Sequence, residues 1–371
     1  MPFARAVSLA ALLSPVAARA DMRALAKIAV KDGVIHEGFA FDDGGGKLGY
    51  AETSGDGKAR LHVGAPGGKT VATDISSFTS APEKILFLAG HWFVITNEGS
   101  RRAAVVAPNG RIKAEIGPFG DCFLSSARGK TFVTVTDRGD TPRGHGYEIA
   151  AYRPDGTALG RKPVTIAADG TLVGSEGLVF VAFTGGYLQA LVKKPGRYNP
   201  RADVRGGTEM AVLDVLTGKT GPGKNVSDIP RFLRFVEKRA EKPGLETFVR
   251  VGDDAASLEL VGPGEKLRPL ALPAKLSLYE TASLQQQVSN GRLFFSLTVD
   301  PLNPDQVAAQ KKGDRVLHLF EANVGAARAT RLGQVPLGET QAYSWAAAGN
   351  KLAVLKRTQA SGGNELTIFA R

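Results

Sequence analysis

The sequence predicts an all-β chain built from a repeated antiparallel unit, and three observations predict it. Helical periodicity is almost absent beyond the first twenty residues; short β-branched and aromatic runs recur instead, bounded by Gly, Pro, Asn or Asp. The runs come in pairs, and the pairs end in Gly-containing hairpin signals such as Pro108-Asn109-Gly110 and Pro154-Asp155-Gly156. Pair follows pair at a spacing of roughly 40 to 70 residues, which is the mark of a repeat architecture.

The N-terminus stands outside this repeat. It reads MPFARAVSLAALLSPVAARA, with Arg5 ahead of an apolar stretch from Ala6 to Leu13 and Ala18-Arg19-Ala20 as a small-x-small cleavage pattern. Residues 1–20 are therefore expected to be a removed export signal, and residues 21–371 a single domain. No cysteine follows the cleavage point to carry a lipid, so the mature protein is expected free in the periplasm or outside the cell. The only cysteine, Cys122, excludes an internal disulfide and every multi-cysteine metal, cluster or haem site. It is expected to be a buried, inert thiol near the start of a strand. No apolar run after the signal is long enough to span a membrane as a helix.

Each unit can be placed by its second strand. Seven candidates follow in order: Leu48 to Ala51, Trp92 to Thr96, Phe132 to Thr136, Leu178 to Phe183, Thr247 to Val251, Leu293 to Val299 and Leu352 to Leu355. The mature length shared among seven gives about 50 residues each, the size of one four-stranded sheet with its turns. In the second unit, Trp92 to Thr96 turns at Glu98-Gly99-Ser100 into Ala103 to Ala107, and Asn109-Gly110 turns the chain into Arg111 to Ile116. Asn-Gly between apolar runs predicts a turn with both residues at positive φ. Gly44 to Gly49 looks faintly like a phosphate loop but lacks a following Ser or Thr and a helix, and reads as a tight hairpin. Asp228 to Pro243 fits a capped basic amphipathic helix or, by its place in the repeat, a first strand; the strand is favoured.

Over essentially its whole mature length the chain resembles the β-propeller superfamily. The resemblance is architectural: there is no Trp-Asp dipeptide, no kelch pattern beyond Gly185-Gly186, and Asp155-Gly156-Thr157 lacks the Ser and Trp of an Asp box. It implies seven blades of four-stranded antiparallel sheet, with six or eight left open. The last unit ends at Leu366 to Arg371 with no room for a fourth strand. The resemblance implies that an N-terminal strand, Ala26 to Val30 or Val34 to Ala40, completes that blade and closes the ring.

The resemblance further implies that the loops between second and third strands share one face. Three are long. The third spans Asp137 to Tyr147 and includes Arg143 and His145; the sixth runs from Asp300 through a helical turn near Gln310 to Lys311, Lys312 and Asp314. The fourth carries Lys193, Lys194, Arg197, Arg201 and Arg205 against Asp203, with Tyr198 as a stacking face. These cations are the candidate binding residues.

Catalytic motifs are missing: no HExxH, GxSxG or SxxK appears. Of the five histidines, His62 and His318 lie within strands as packing or surface residues, and His145 sits five residues after Asp140 without further metal-ligand spacing. Asp42-Asp43 and Asp253-Asp254 fall in turns and could join a calcium site, although neither has EF-hand spacing. No cofactor is otherwise expected. The net charge of +11 falls to +9 without Arg5 and Arg19, and favours acidic partners at long range. Nucleic acid is a poor partner for an exported protein. The expectation is a non-catalytic propeller that binds a protein or an anionic envelope component; the alternative is an exported propeller enzyme, a metal-dependent hydrolase or lactonase or a quinone-dependent dehydrogenase, with its site at the central channel.

Overall fold

The computed structural model describes residues 22–370 apart from 30–32, 126–130, 143, 168–170, 173–180, 185–186, 191, 194–207, 214–223, 227–247, 252–256, 262–266, 274–282, 290–291, 300–314, 339 and 359–363. Among the described residues there are strands and no helix. After β1 (Arg23–Ala29), a first sheet holds β2 (Gly33–Ile35), β3 (Ala40–Phe41), β4 (Leu48–Ser54), β5 (Ala59–Gly64) and β6 (Thr70–Asp74). Here β2 and β3 pair with opposite ends of β4, as a first strand split in two. The second sheet holds β7 (Pro82–Leu88), β8 (His91–Thr96), β9 (Arg101–Val106) and β10 (Ile112–Phe119). The third holds β11 (Asp121–Ser125), β12 (Thr131–Thr141), β13 (Gly144–Tyr152) and β14 (Ala158–Ala167).

Beyond it lie β15 (Thr171–Leu172), β16 (Val181–Thr184), β17 (Tyr187–Ala190), β18 (Val192–Lys193), β19 (Thr208–Leu213) and β20 (Lys224–Val226). Of these, β16, β17, β19 and β20 make a fourth sheet, and β15 pairs with β18. The fifth sheet holds β21 (Phe248–Val251), β22 (Leu258–Val261) and β23 (Leu267–Pro269). The sixth holds β24 (Ser283–Ser289), β25 (Arg292–Val299), β26 (Val316–Asn323) and β27 (Arg328–Pro336). The seventh holds β28 (Thr340–Ala348), β29 (Lys351–Thr358) and β30 (Asn364–Ala370), with β1 as its fourth strand, Arg23 opposite Ala370.

The second strands of the second, sixth and seventh sheets, β8, β25 and β29, are mostly apolar through their middle because both faces of these sheets are covered. Successive side chains of a strand point to opposite faces, and the core divides accordingly. Trp92 and Val94 of β8 pack with Ala51, Leu61 and Ile85 on one side, while Phe93 and Ile95 pack with Phe119 and Phe132 on the other. In the seventh sheet, Leu352 and Val354 face Phe294, Leu317 and Leu319 of the sixth; Ala353 and Leu355 face Ile35, Phe41 and Leu48 of the first. Full burial of such a side chain is worth about 1.5–3 kcal/mol, so these seams between sheets carry the stability. Sheets packed face to face, first strands innermost, give a β-propeller architecture.

Two recurrent devices set the spacing of neighbouring sheets. First strands stand side by side, β24 by β28, β28 by β3 and β3 by β7, and β24 also stands by β21 of the fifth sheet. Their backbone edges would otherwise be unpaired, and neighbours satisfy them. The Gln286 amide brackets Val249, donating to its carbonyl at 3.0 Å and accepting from its N–H at 2.8 Å. Gln287 Oε1 accepts from Ala347 N, Ser344 Oγ donates to the Glu37 carbonyl, and Ile85 N donates to the Gly38 carbonyl. At Gly38 a Cβ would lie 2.3 Å from the Lys84 Cα, so only glycine permits this approach.

The second device is the turn between third and fourth strands, which docks on the outer strand of the preceding sheet. A Cβ at Gly67 would lie 3.5 Å from the Ala26 Cβ of β1; one at Gly110 would lie 2.9 Å from Thr73 Oγ1 of β6, and one at Gly156 2.7 Å from the Ala114 Cβ of β10. In the sixth sheet, Arg268 of β23 donates to the carbonyls of Val324 and Gly325 in the corresponding turn.

Three sequence expectations need correction. At Asn109-Gly110 only Gly110 takes a positive φ, 80°; Gly110 N bonds the Ala107 carbonyl and Asn109 Oδ1 accepts from Arg111 N. The asparagine side chain thus stabilises the turn without a left-handed backbone. The stretch Asp137 to Tyr147 is not an open loop, because β12 and β13 extend through it and pair up to Thr141 opposite Gly144. In the fourth sheet, Val181–Thr184 is an edge strand and Tyr187–Ala190 the second strand, since the apolar run beginning at Leu178 spans more than one element's place. Gly44 to Gly49 does form a hairpin: Asp42 N bonds the Lys47 carbonyl between β3 and β4. The export signal, Asp228 to Pro243 and Asp253-Asp254 lie outside the described residues.

Candidate binding face

The first strand of the first sheet is interrupted between β2 and β3, and His36 and Glu37 occupy the break. Val34 pairs with Thr53 and Ile35 with Glu52, and His36 N bonds the Ala51 carbonyl, so the His36 side chain reaches back toward the end of the sheet where its second and third strands connect. Its Nε2 lies 2.8 Å from Thr53 Oγ1. That hydroxyl donates to the Ser80 carbonyl at 2.7 Å. With its proton so committed, Thr53 Oγ1 accepts from His36, which assigns the ring proton to Nε2 and leaves Nδ1 as an acceptor. Burial lowers the His36 pKa; the Arg357 cation lowers it further, and Glu98 works in the opposite sense. The imidazole is therefore neutral near pH 7.

The chain of contacts continues into the second sheet. Ser80 Oγ donates to Glu98 Oε1 at 2.5 Å and Ser80 N to the same oxygen at 3.1 Å. These bonds hold the Glu98 pKa below its ordinary value. Glu98 lies in the short connection between β8 and β9, so this path joins the first strand of one sheet to the strand 2–3 turn of the next. On the other side Arg357, near the end of β29, pairs with Glu37 at 3.5 Å. Arg101, at the start of β9, grips both oxygens of Glu83 at 3.1 and 3.3 Å and donates to the Gly120 carbonyl at 2.9 Å. On the long hairpin of the third sheet, Glu148 is shared by Arg138 and Arg161 at 2.9 and 3.3 Å.

This face thus carries ion pairs and hydrogen bonds that tie the seventh, first, second and third sheets together. The pairs are half exposed, where each is worth about 0–1 kcal/mol; their effect is to hold side chains in place at the rim. Short turns at 65–69, 107–111, 153–157 and 324–327 join third to fourth strands at the opposite end. Among the described residues no group of three or more metal-ligating side chains converges, and no helix is long and apolar enough to cross a membrane.

Lys193 is placed in β18, opposite Thr171, and His145 in β13, opposite Asp140 and Ile166. Arg143, Lys194, Arg197, Tyr198, Arg201, Arg205, Lys311 and Lys312 lie outside the described residues. The other histidines pack. His62 stacks flat on Tyr50 at 4.9 Å, with Nε2 3.0 Å from Glu52 Oε1 though not aligned for a hydrogen bond. His318 Nδ1 accepts from Arg331 Nη2 at 2.9 Å, and burial beside that cation lowers its pKa to about 4. Cys122 lies in β11, part-buried against the seam of the second and third sheets. Sequence reading did not find His36, Thr53, Ser80 and Glu98 as a group. The break in alternation at Ile35-His36-Glu37-Gly38 was the available signal.

No family model matches the chain, and no curated protein is similar to it in sequence. Solved structures of similar fold include BamB from Moraxella catarrhalis, with 14% identity over 94% of this chain and 90% of that one and a TM-score of 0.39. The β-propeller domain of the Trilobed protease from Pyrococcus furiosus has 8% identity, over 92% of this chain and 94% of that one, with a TM-score of 0.46. The WD40 β-propeller domain of Doa1 has 12% identity, over 94% and 97%, with a TM-score of 0.46.

Proposed function

We propose that the chain is an exported, non-catalytic binding or scaffold propeller of seven blades, closed by β1, that engages a protein or an anionic envelope component with the face bearing its strand 2–3 connections. The observation that carries this reading is where the chain is enlarged. The stretches 191–207 and 300–315 and the extended hairpin of β12 and β13 all fall between second and third strands. Short turns at 153–157 and 324–327 serve the opposite end of the third and sixth sheets. Enlargement costs little, about 0.6 kcal/mol per doubling of loop length, so it accumulates wherever contact with a partner is made. In sequence these stretches supply forked and point cations, Lys193, Lys194, Arg197, Arg201, Arg205, Arg143, Lys311 and Lys312, together with Tyr198 and His145. Seven-fold closure is supported by the pairing of β1 with β30 and by Gly67 docking on β1 as Gly110 docks on β6.

The test measures binding of the purified mature protein to heparin, a soluble anionic polymer, at low and high salt, with Lys193→Ser/Arg197→Ser/Arg201→Ser as the variant. Salt-sensitive binding lost in the variant supports the anionic partner. Cross-linking to one envelope protein without polymer binding supports the protein partner. A rise in melting temperature with calcium or a quinone cofactor would overturn the non-catalytic reading, because a ligand bound only by the folded state stabilises it.

One observation favours the second reading, an enzyme at the channel. His36 is a neutral imidazole held by Thr53, with Nδ1 able to accept a proton. Under that reading His36→Ala removes any hydrolase activity while leaving polymer binding unchanged.

A further inference from the structure

The seam between the sixth and seventh sheets carries polar side chains along its length. Its rungs run between β25 and β28, the second strand of one sheet and the first of the next. At one end Arg292, whose other donors hold Glu321, reaches the Gly349 carbonyl at 2.7 Å. One rung on, Phe294 and Ala347 share an apolar cluster with Leu352 and Val354. At the far end the Thr298 and Tyr343 hydroxyls meet in a hydrogen bond. The period-two alternation of strands puts Ser296 and Trp345 opposite each other on the rung between. At the seam of the first and second sheets the middle is hydrocarbon, where Ala51 and Ile85 share an apolar cluster.

Both groups on this rung are enclosed polar atoms. Ser296 is 0% exposed, and among the described residues neither its Oγ nor Trp345 Nε1 has a hydrogen-bond partner. Such a group costs about 1–3 kcal/mol when unsatisfied. An indole N–H can only donate, whereas a serine hydroxyl can donate and accept. A single molecule that both accepts and donates satisfies the pair.

We infer that a buried water molecule bridges Trp345 Nε1 and Ser296 Oγ, making this seam a built hydration site between two blades. The water accepts from the indole and bonds the serine hydroxyl, which matches the two to four polar partners that interior waters have. It makes the middle of this seam an exchangeable polar joint beside the strand that pairs with β1's partner.

The test uses ¹⁵N-tryptophan labelling of the mature protein, in which Trp92 and Trp345 give the two indole signals. Trp345→Phe assigns them by the signal it removes. Magnetisation transfer from water to the Trp345 indole N–H, of the sign given by a long-lived bound water, is the expected result. In Ser296→Ala that transfer weakens and the indole signal shifts, while the Trp92 signal stays in place. Absence of transfer in the wild-type protein overturns the inference, as does an indole signal unmoved by Ser296→Ala. The wild-type measurement stands alone should a variant fail to fold.

Discussion

The amide of Gln286 lets the contact between the fifth and sixth sheets be titrated. It is 9% exposed and makes two opposite hydrogen bonds to one residue, accepting from Val249 N–H and donating to Val249 C=O. Replacement by Glu keeps the shape and the acceptor. The donor survives only while the carboxyl is protonated. Ionised, it loses one net hydrogen bond, about 1 kcal/mol, and leaves a buried carbonyl facing a carboxylate, about 2 kcal/mol more. A penalty of about 3 kcal/mol on the charged form raises the carboxyl pKa in the folded state by roughly two units, at 1.36 kcal/mol each. The sign follows from linkage. The folded state holds the proton more tightly than the unfolded one, so the variant's stability falls as pH rises from the ordinary glutamate range to the raised value, then levels.

Urea midpoints compared with wild type across that range read this out. Gln286→Glu should match wild type at the acid end and fall behind over roughly two pH units. Gln286→Leu, which satisfies neither Val249 group, should trail at every pH. A gap for Gln286→Glu that does not change with pH, or a Gln286→Leu protein as stable as wild type, would falsify the bracketing role of this side chain.

Two further predictions follow from packing and charge. A Cβ at Gly49 would sit 2.5 Å from Cζ3 of Trp92, itself 1% exposed; Gly49→Ala should therefore cost about 1–3 kcal/mol by overpacking, against no loss for Gly160→Ala, where nothing lies within 4 Å. Matching urea midpoints for the two would refute the tight seam. His318 has its pKa depressed to about 4 from 6.5, so the unfolded state takes up the proton first and stability declines as pH falls from the ordinary histidine range toward 4. His318→Gln should flatten that decline, measured as melting temperature against pH, and an unchanged slope would assign it to other groups.

The fold was legible in the sequence because both-face burial leaves a plain mark. Trp92-Phe93-Val94-Ile95 and Leu352-Ala353-Val354-Leu355 are uninterrupted apolar runs of strand length, and each serves two seams. The turn residues were legible too, with the backbone detail at Asn109 misread, since Asn-Gly suits two turn geometries that differ only in one φ. The candidate face was much less so. His36, Thr53, Ser80, Glu98 and Arg357 come from separate sheets or connections, and their meeting depends on how the first strands pack, which no local pattern encodes. Asp137 to Tyr147 looked like a loop because Gly139, Gly144 and Gly146 are turn formers; strand pairing overrode them.

The pairing of Arg23 with Ala370 puts the start of β1 beside the end of β30, running in opposite directions. A linker of a few residues would turn that pair into one more hairpin, like those at Gly110 and Gly156. The chain could then be opened at any such turn, for instance within 153–157, without separating strands that now pair. Circular permutants cut there should regain the native spectrum. In such a molecule the identity of first and last sheet would be a matter of where synthesis begins.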